Sequence, residues 1–143
     1  MTRAIDTNPA HGTAVAVQGR GFLLVGPSGS GKSGLALNML AGGATLVADD
    51  RVELHLVEGA VLMQAPAALR GLIEARGLGV LRTEPSRNVP LHHVVDLAAE
   101  PAARMPPLQT IDVLGAQIDL INGRNLPNLA SALLLLGRGG RAE

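Results

Sequence analysis

A glycine-rich octapeptide constrains this chain more than any other feature of its sequence. It reads Gly26-Pro27-Ser28-Gly29-Ser30-Gly31-Lys32-Ser33 and fits the pattern G-x-x-x-x-G-K-[ST], which belongs between a strand and a helix. The apolar run at residues 22–25 predicts the strand, and residues 34–40 predict the helix. Glycines let backbone N–H groups approach phosphate oxygens closely at the positive end of that helix. The octapeptide therefore predicts a phosphate-binding loop, referred to below as the P-loop.

Two side chains at the end of the P-loop supply further groups that can bind a nucleotide and its metal ion. Lys32 is a mobile positive charge for the β- and γ-phosphates of a nucleotide, and the hydroxyl of Ser33 is placed to bind Mg²⁺. The alternative is a turn that needs glycines only for its shape. The octapeptide matches the whole phosphate-binding pattern and lies between a predicted strand and a predicted helix, which argues against that alternative.

Composition excludes several other classes of protein. The 143 residues suit one domain, and 47% of them are hydrophobic although there is one Phe and no Tyr or Trp. Aliphatic side chains must therefore fill the core, and stacking platforms for single-stranded nucleic acid are not expected. Twelve Lys and Arg residues balance twelve Asp and Glu residues, which gives no general attraction to nucleic acid or to acidic membranes.

The chain has no cysteine, so disulfides, thiolate metal sites and a cysteine nucleophile are excluded. Residues 1–12 lack the apolar core of a signal peptide, and the longest aliphatic run, residues 133–136, is far shorter than the ~20 residues that span a bilayer. We therefore expect a cytoplasmic protein that does not enter a membrane.

Patterns along the chain predict an α/β fold that consists mostly of β-sheet, with a P-loop helix and a C-terminal helix. We expect a mobile N-terminal arm at residues 1–10, a catalytic domain at 11–136 and a disordered Gly- and Arg-rich tail at 137–143. Hairpins are predicted where strand-like runs flank a short turn, and a terminal helix is predicted at 126–136. The predicted hairpins comprise residues 13–25, 52–63 and 111–121.

Two adjacent carboxylates, Asp49 and Asp50, follow an apolar strand that returns beside the P-loop. One is suited to binding Mg²⁺ or its waters, and one is suited to accepting a proton from an attacking hydroxyl. The alternative is that both simply end a strand in solvent.

Three more residues are candidates whose roles the sequence leaves open. Glu74 is either a metal ligand or one half of an ion pair with Arg76. His11 either folds back towards the phosphates through the first hairpin or is solvated in a terminal arm. Arg124, in a turn before the last helix, either neutralises a phosphate or is a surface charge.

Taken together, five segments resemble the catalytic domain of the bacterial HPr kinase/phosphorylase family, in the order of that family. They are Ala10-His11-Gly12, the P-loop, Leu46-Val47-Ala48-Asp49-Asp50-Arg51-Val52, Ile73-Glu74-Ala75-Arg76-Gly77-Leu78-Gly79 and Gly123-Arg124-Asn125. The resemblance covers roughly residues 10–136. It implies a fold like that of the family's catalytic domain and, more distantly, phosphoenolpyruvate carboxykinase. It also implies a homo-oligomer, since these domains form hexamers.

The resemblance implies a kinase that transfers a phosphoryl group from ATP, or from pyrophosphate in some members, to a serine of the phosphocarrier protein HPr. The same site would remove that group by attack of inorganic phosphate, which yields pyrophosphate. Such an enzyme regulates the phosphotransferase system and carbon metabolism. Carried over residue by residue, the roles are Asp49 as general base, His11 as the group that tunes it, Lys32 on the β-phosphate, Ser33 and Glu74 on Mg²⁺, and Arg124 on the phosphoryl group.

This sequence departs from the family pattern at three points. Gly34 stands where an acidic residue commonly follows Lys-Ser, and the family's Arg-Pro-Gly-Arg-Asn segment reads Ile121-Asn122-Gly123-Arg124-Asn125, with one arginine fewer. The resemblance is to a short form without the family's N-terminal domain and last helix. Two alternatives to the protein kinase remain at this point: a P-loop kinase for small molecules and a non-catalytic nucleotide-sensing module.

Overall fold

A computed structural model describes residues 4–142. Within this range the chain forms twelve strands and two α-helices, so the predicted α/β fold with mostly β-structure is confirmed. The elements are β1 (Ala4–Ile5), β2 (Ala10–His11), β3 (Thr13–Val17), β4 (Arg20–Val25), α1 (Lys32–Ala41), β5 (Thr45–Ala48), β6 (Arg51–Val57), β7 (Ala60–Gln64), a 3-10 turn (Ala67–Leu69), β8 (Leu72–Ala75), β9 (Gly79–Arg82), β10 (Val89–Asp96), β11 (Gln109–Val113), β12 (Ala116–Asn122) and α2 (Leu129–Gly139).

The main sheet places the P-loop at one defined edge. Its strand order is β1-β11-β12-β10-β4-β3-β5, and β10 runs parallel to both β4 and β12. Val25, Asp96 and Asn122 are in register at the carboxyl ends of these three parallel strands. The P-loop leaves from the end of β4, so the loops that follow β10 and β12 lie on the same edge of the sheet.

Both faces of the main sheet are buried. Successive residues of β3 and β4 point to opposite faces, where they join two different clusters of apolar side chains. Ala14, Ala16 and Leu23 belong to a cluster shared with β6 and β7. Their neighbours along the two strands face the helices. The helix-facing residues of these strands are Val15, Val17, Phe22 and Leu24. The sheet therefore lies between the two helices and the β6–β7 hairpin.

The three predicted hairpins are confirmed as β3–β4, β6–β7 and β11–β12. Each has a two-residue turn in which both residues have positive φ, as in Glu58 and Gly59 with φ of 51° and 81°. Turns of this kind match the right-handed twist of the flanking strands. Tight turns therefore fix the register that puts the apolar residues on the correct faces.

The predicted mobile arm is wrong for residues 4–10, whereas residues 1–3 lie outside the described part of the chain. Strand β1 pairs in parallel with β11. The Asn8 side chain donates to the Leu54 carbonyl at 2.7 Å and accepts from the Leu54 N–H at 3.0 Å. These tertiary hydrogen bonds hold the segment although it is too short and too polar to show a periodic pattern.

The C-terminal helix begins and ends three residues later than predicted. Pro127 disfavours helical geometry at the preceding residue, and α2 starts only after Asn128, whose φ is 57°. At the other end the helix continues through Gly137, which is buried. Neither α1 nor α2, the two α-helices of the described residues, is long and apolar enough to cross a membrane.

The predicted disordered tail is therefore wrong for residues 137–142. A Cβ at Gly137 would lie 2.6 Å from the Cβ of Val17, so the helix packs directly on β3 at this point. Arg138 Nη2 donates to the Gly42 carbonyl at 2.5 Å, and Arg141 Nη1 lies 3.1 Å from Asp119 Oδ2. The composition of the tail resembles that of a disordered segment, but these contacts order it.

Candidate active site

A pocket of about 680 Å³ lies over the P-loop and collects most of the predicted site residues. It is bounded by the first turn of α1, the end of β5, the start of β3 and the β8–β9 hairpin. The lining residues are His11, Thr13, Ser28, Gly29, Gly31, Lys32, Ser33, Gly34, Leu37, Asp49, Asp50, Glu74 and Arg76. Segments that are distant in sequence thus meet at one polar pocket.

The P-loop backbone has the open shape that a phosphate group requires. Gly29 and Gly31 have φ of 85° and 98°, values that side chains rarely allow. A Cβ built on either residue would meet no atom within 4 Å, so the space beside the backbone is open. Gly31 is also the N-cap of α1, where free N–H groups and the helix dipole favour an anion. The loop therefore fits a phosphate group.

Lys32 folds back over its own loop. Its Nζ donates to the carbonyls of Gly26 and Pro27 at 2.8 and 3.1 Å, and the residue is only 9% exposed. These two carbonyls hold the ammonium group within the P-loop. Of the octapeptide, Gly26, Pro27 and Ser30 do not line the pocket.

Asp49 is held by three hydrogen bonds from three different elements. Its Oδ1 accepts from the hydroxyls of Thr13 and Ser33, each at 2.9 Å. Its Oδ2 accepts from the backbone N–H of Glu74 at 3.0 Å. Three hydrogen bonds from three directions fix the orientation of this carboxylate. The strand-end carboxylate predicted from the sequence is thus bonded directly to the P-loop serine.

The second carboxylate, Asp50, has a different environment. It has φ of 73° and is exposed, and its Oδ1 lies 3.6 Å from Nδ1 of His11. His11 lies opposite Arg51 in the β2–β6 pairing, so the sheet places it beside Asp50. Between the described residues, no hydrogen bond or ion pair connects His11 to Asp49. The predicted role of His11 in tuning Asp49 therefore stays a prediction, and the carboxylate within 4 Å of its ring is that of Asp50.

Glu74 lines the same pocket as Ser33 and has an exposed side chain. None of the ion pairs in the described part of the chain includes Glu74, which argues against the alternative of an ion pair with Arg76. Hydroxyl and carboxylate oxygens are ligands that Mg²⁺ accepts, usually together with substrate phosphates. No cluster of three or more His, Cys, Asp or Glu side chains in residues 4–142 is arranged to hold a metal ion without such phosphates.

Comparison with known proteins agrees with this geometry. The family model for the HPr serine kinase C-terminal domain matches residues 4–86, more than half of the chain. The chain belongs to this family. HPr kinase/phosphorylase of Burkholderia lata is 37% identical over 143 residues, which cover 85% of this chain and 43% of the relative. The Bordetella pertussis protein of the same name is 38% identical over 144 residues, which cover 88% and 47%.

The chain therefore spans less than half the length of these relatives. A solved structure, the Hpr(Ser) kinase/phosphatase from Coxiella burnetii, matches with a TM-score of 0.78 at 21% identity. The match covers 92% of this chain and 95% of that one. It confirms that the sheet, the P-loop and the helices have the arrangement of the HPr kinase fold.

Arg124, the remaining residue carried over from the HPr kinase family, does not line the pocket. It follows β12 at the same edge of the sheet as the P-loop, is exposed, and donates its backbone N–H to the Ala99 carbonyl at 3.0 Å. One strand, β10, lies between β12 and β4, the strand from which the P-loop leaves. Its predicted contact with the phosphoryl group stays a prediction.

Thr13 contacts Asp49 directly but was not among the site residues predicted from the sequence. This residue is 1% exposed and is one of the few polar residues buried in the core. A signal for it is present in the sequence, because Thr13 is the only polar residue of the apolar strand β3 and follows the His11-Gly12 dipeptide. Strand periodicity alone gives no reason to assign it to the site.

Proposed function

We propose that this chain transfers the γ-phosphoryl group of ATP, in the presence of Mg²⁺, to a serine hydroxyl of HPr or an HPr-like phosphocarrier. The observation that carries the proposal is the 2.9 Å hydrogen bond between Ser33 of the P-loop and Asp49. It places a candidate proton acceptor directly beside the candidate phosphate cradle. The relatives' name, HPr kinase/phosphorylase, supplies the acceptor protein.

The donor half of the site consists of the P-loop, Lys32, Ser33 and Glu74. The backbone of the loop binds the phosphates, and Lys32 exchanges its bonds to the Gly26 and Pro27 carbonyls for bonds to phosphate oxygens. Ser33 and Glu74 would hold Mg²⁺, which would neutralise charge on the phosphates. Lys32, Ser33, Glu74 and part of the P-loop line the pocket over α1.

The acceptor half consists of Asp49. Its Oδ1 accepts two hydrogen bonds and its Oδ2 accepts one, so Oδ2 retains lone-pair capacity for a proton. In transfer, the serine O–H bond breaks and its proton goes to Asp49. A bond forms between the serine oxygen and the γ-phosphorus, and the bond from that phosphorus to ADP breaks.

The reverse reaction follows from the same groups, as the second part of the relatives' name suggests. An oxygen of hydrogen phosphate in the P-loop attacks the phosphorus of phosphoserine, and the bond from that phosphorus to the serine oxygen breaks. The proton of the attacking phosphate passes through Asp49 to the leaving serine oxygen. The products are pyrophosphate and unmodified serine. Arg124 is proposed to meet the phosphoryl group, and the chain is proposed to act as a cytoplasmic homo-oligomer.

The test is to incubate the purified chain with Mg²⁺, γ-labelled ATP and HPr, with HPr whose acceptor serine is replaced by alanine as the control. We expect label on HPr and none on the alanine variant. Label on small molecules alone would support a metabolite kinase. ATP binding without turnover would support a nucleotide-sensing module. Either of these last two results would overturn the proposal.

A further inference from the structure

Thr13 is a buried hydroxyl that packing does not explain. It is 1% exposed in a strand whose other residues are Ala and Val, and valine has nearly the same shape as threonine. Burial of a hydroxyl is unfavourable unless the group forms a hydrogen bond. The partner of Thr13 is Asp49 Oδ1 at 2.9 Å. The hydroxyl is therefore accounted for by its bond to the candidate base.

The sheet determines where this hydroxyl lies. Strand β3 pairs with β4 through Thr13 and Leu24, and with β5 through Ala14 and Ala48. One step beyond the second pair, Thr13 reaches Asp49, which directly follows β5. Since a β-branched side chain has restricted χ1, the donor is fixed by both strand pairing and rotamer preference.

The other two donors to Asp49 lie outside the main sheet. Ser33 belongs to the P-loop, and its oxygen is also the proposed ligand of Mg²⁺. The Glu74 N–H belongs to the two-stranded β8–β9 hairpin, of which β9 is exposed along its whole length. Thr13 alone holds Asp49 from the interior of the main sheet.

We infer that Thr13 is a positioning residue for phosphoryl transfer: it fixes Oδ1 of Asp49 so that Oδ2 faces the acceptor hydroxyl. The inference rests on the proposed function, because Asp49 must be the proton acceptor. Thr13 touches neither substrate nor nucleotide in this scheme, and it acts through the orientation of the carboxylate. Supporting groups of this kind typically contribute about 10- to 100-fold to activity.

The test compares Thr13→Val, which keeps shape but loses the hydroxyl, with Thr13→Ser, which keeps the hydroxyl. With saturating HPr we expect Thr13→Val to lower kcat by about tenfold with an unchanged KM for ATP, and Thr13→Ser to restore most of kcat. In the Asp49→Asn background, Thr13→Val should have no further effect, since it acts through that carboxylate. Melting temperatures verify that each variant is folded, and Thr13→Ala replaces Thr13→Val if the latter does not fold.

The outcomes separate this inference from the function on which it rests. A native chain that does not label HPr overturns the proposed function and this inference with it. A native chain that labels HPr, with Thr13→Val at the native kcat, overturns the inference alone. An equal loss of kcat in the native and Asp49→Asn backgrounds also overturns it, because the effect would then not pass through Asp49.

Discussion

Ser33 Oγ donates a hydrogen bond to Oδ1 of Asp49 at 2.9 Å, which connects the first turn of α1 to the end of β5. The two residues belong to elements that the sheet brings to one pocket. The same hydroxyl oxygen retains lone pairs for a metal ion while it donates its proton in the hydrogen bond to Asp49. The proposed metal ligand and the proposed base are therefore coupled through one hydroxyl group.

Replacing Ser33 by alanine tests this coupling. We expect Ser33→Ala to raise the Mg²⁺ concentration for half-maximal transfer by about tenfold, because one oxygen ligand is lost. ATP binding without Mg²⁺ should be unchanged, since the P-loop backbone and Lys32 remain. Ser28→Ala is the matched control, as Ser28 lines the same pocket but does not donate to Asp49. Identical Mg²⁺ titrations for the two variants would contradict the assignment.

Because α2 packs closely on β3, we expect alanine substitutions at two nearby glycines of α2 to have different effects on the free energy of unfolding. A Cβ at Gly137 would lie 2.6 Å from the Cβ of Val17, whereas one at Gly139 would meet no atom within 4 Å. We expect Gly137→Ala to lower the free energy of unfolding by about 1–3 kcal/mol through overpacking. Gly139→Ala should leave it unchanged or raise it by up to about 1 kcal/mol. Denaturant midpoints measure both, and equal midpoints would show that the tail does not pack as described.

The surroundings of Asp119 predict that the stability of the fold depends on pH, independently of catalysis. Burial raises its pKa, but the hydrogen bond from His93 Nδ1 at 2.6 Å and the nearby Arg141 outweigh burial and lower the pKa below its ordinary value of 3.8. The charged form therefore stabilises the fold above that value, and this stability is lost as the pH falls through the lowered pKa.

We expect Asp119→Asn to lower the free energy of unfolding by about 1–2 kcal/mol at neutral pH, through the loss of a charged hydrogen-bond acceptor. The difference from the native chain should shrink as the pH falls below 3.8. Urea denaturation between neutral and acidic pH measures it. Asp6→Asn, at an exposed residue that follows β1, is the control. A difference that stays constant down to acidic pH would refute this role of the Asp119 charge.

Local signals in the sequence were sufficient to predict the three hairpins and the P-loop. Alternating apolar residues around two-residue turns such as Glu58-Gly59 carry both the strand period and the turn geometry. Strand β1 and the end of α2 carry neither signal. They are ordered by contacts with partners far along the chain, such as Val17 against Gly137, which composition does not reveal.

The site residues divide in the same way: local sequence signals predict some of them, and the others depend on contacts in the folded chain. Asp49 was predictable because a carboxylate at the end of a strand beside a P-loop has a known chemical use. The pairing of His11 with Asp50 was not, since it depends on a left-handed backbone at Asp50 that residue type does not predict. Thr13 was missed because its importance lies in its register opposite Asp49, and register is a property of the folded sheet.

The most direct test of the account is single-turnover transfer from γ-labelled ATP to HPr by the native chain and by Asp49→Asn, with Asp50→Asn as the matched neighbouring control. ATP binding is measured in parallel by calorimetry. We predict that Asp49→Asn lowers the transfer rate by about 100- to 10,000-fold with ATP affinity unchanged, and that Asp50→Asn has a smaller effect. Transfer by Asp49→Asn at the native rate would show that Asp49 does not accept the serine proton.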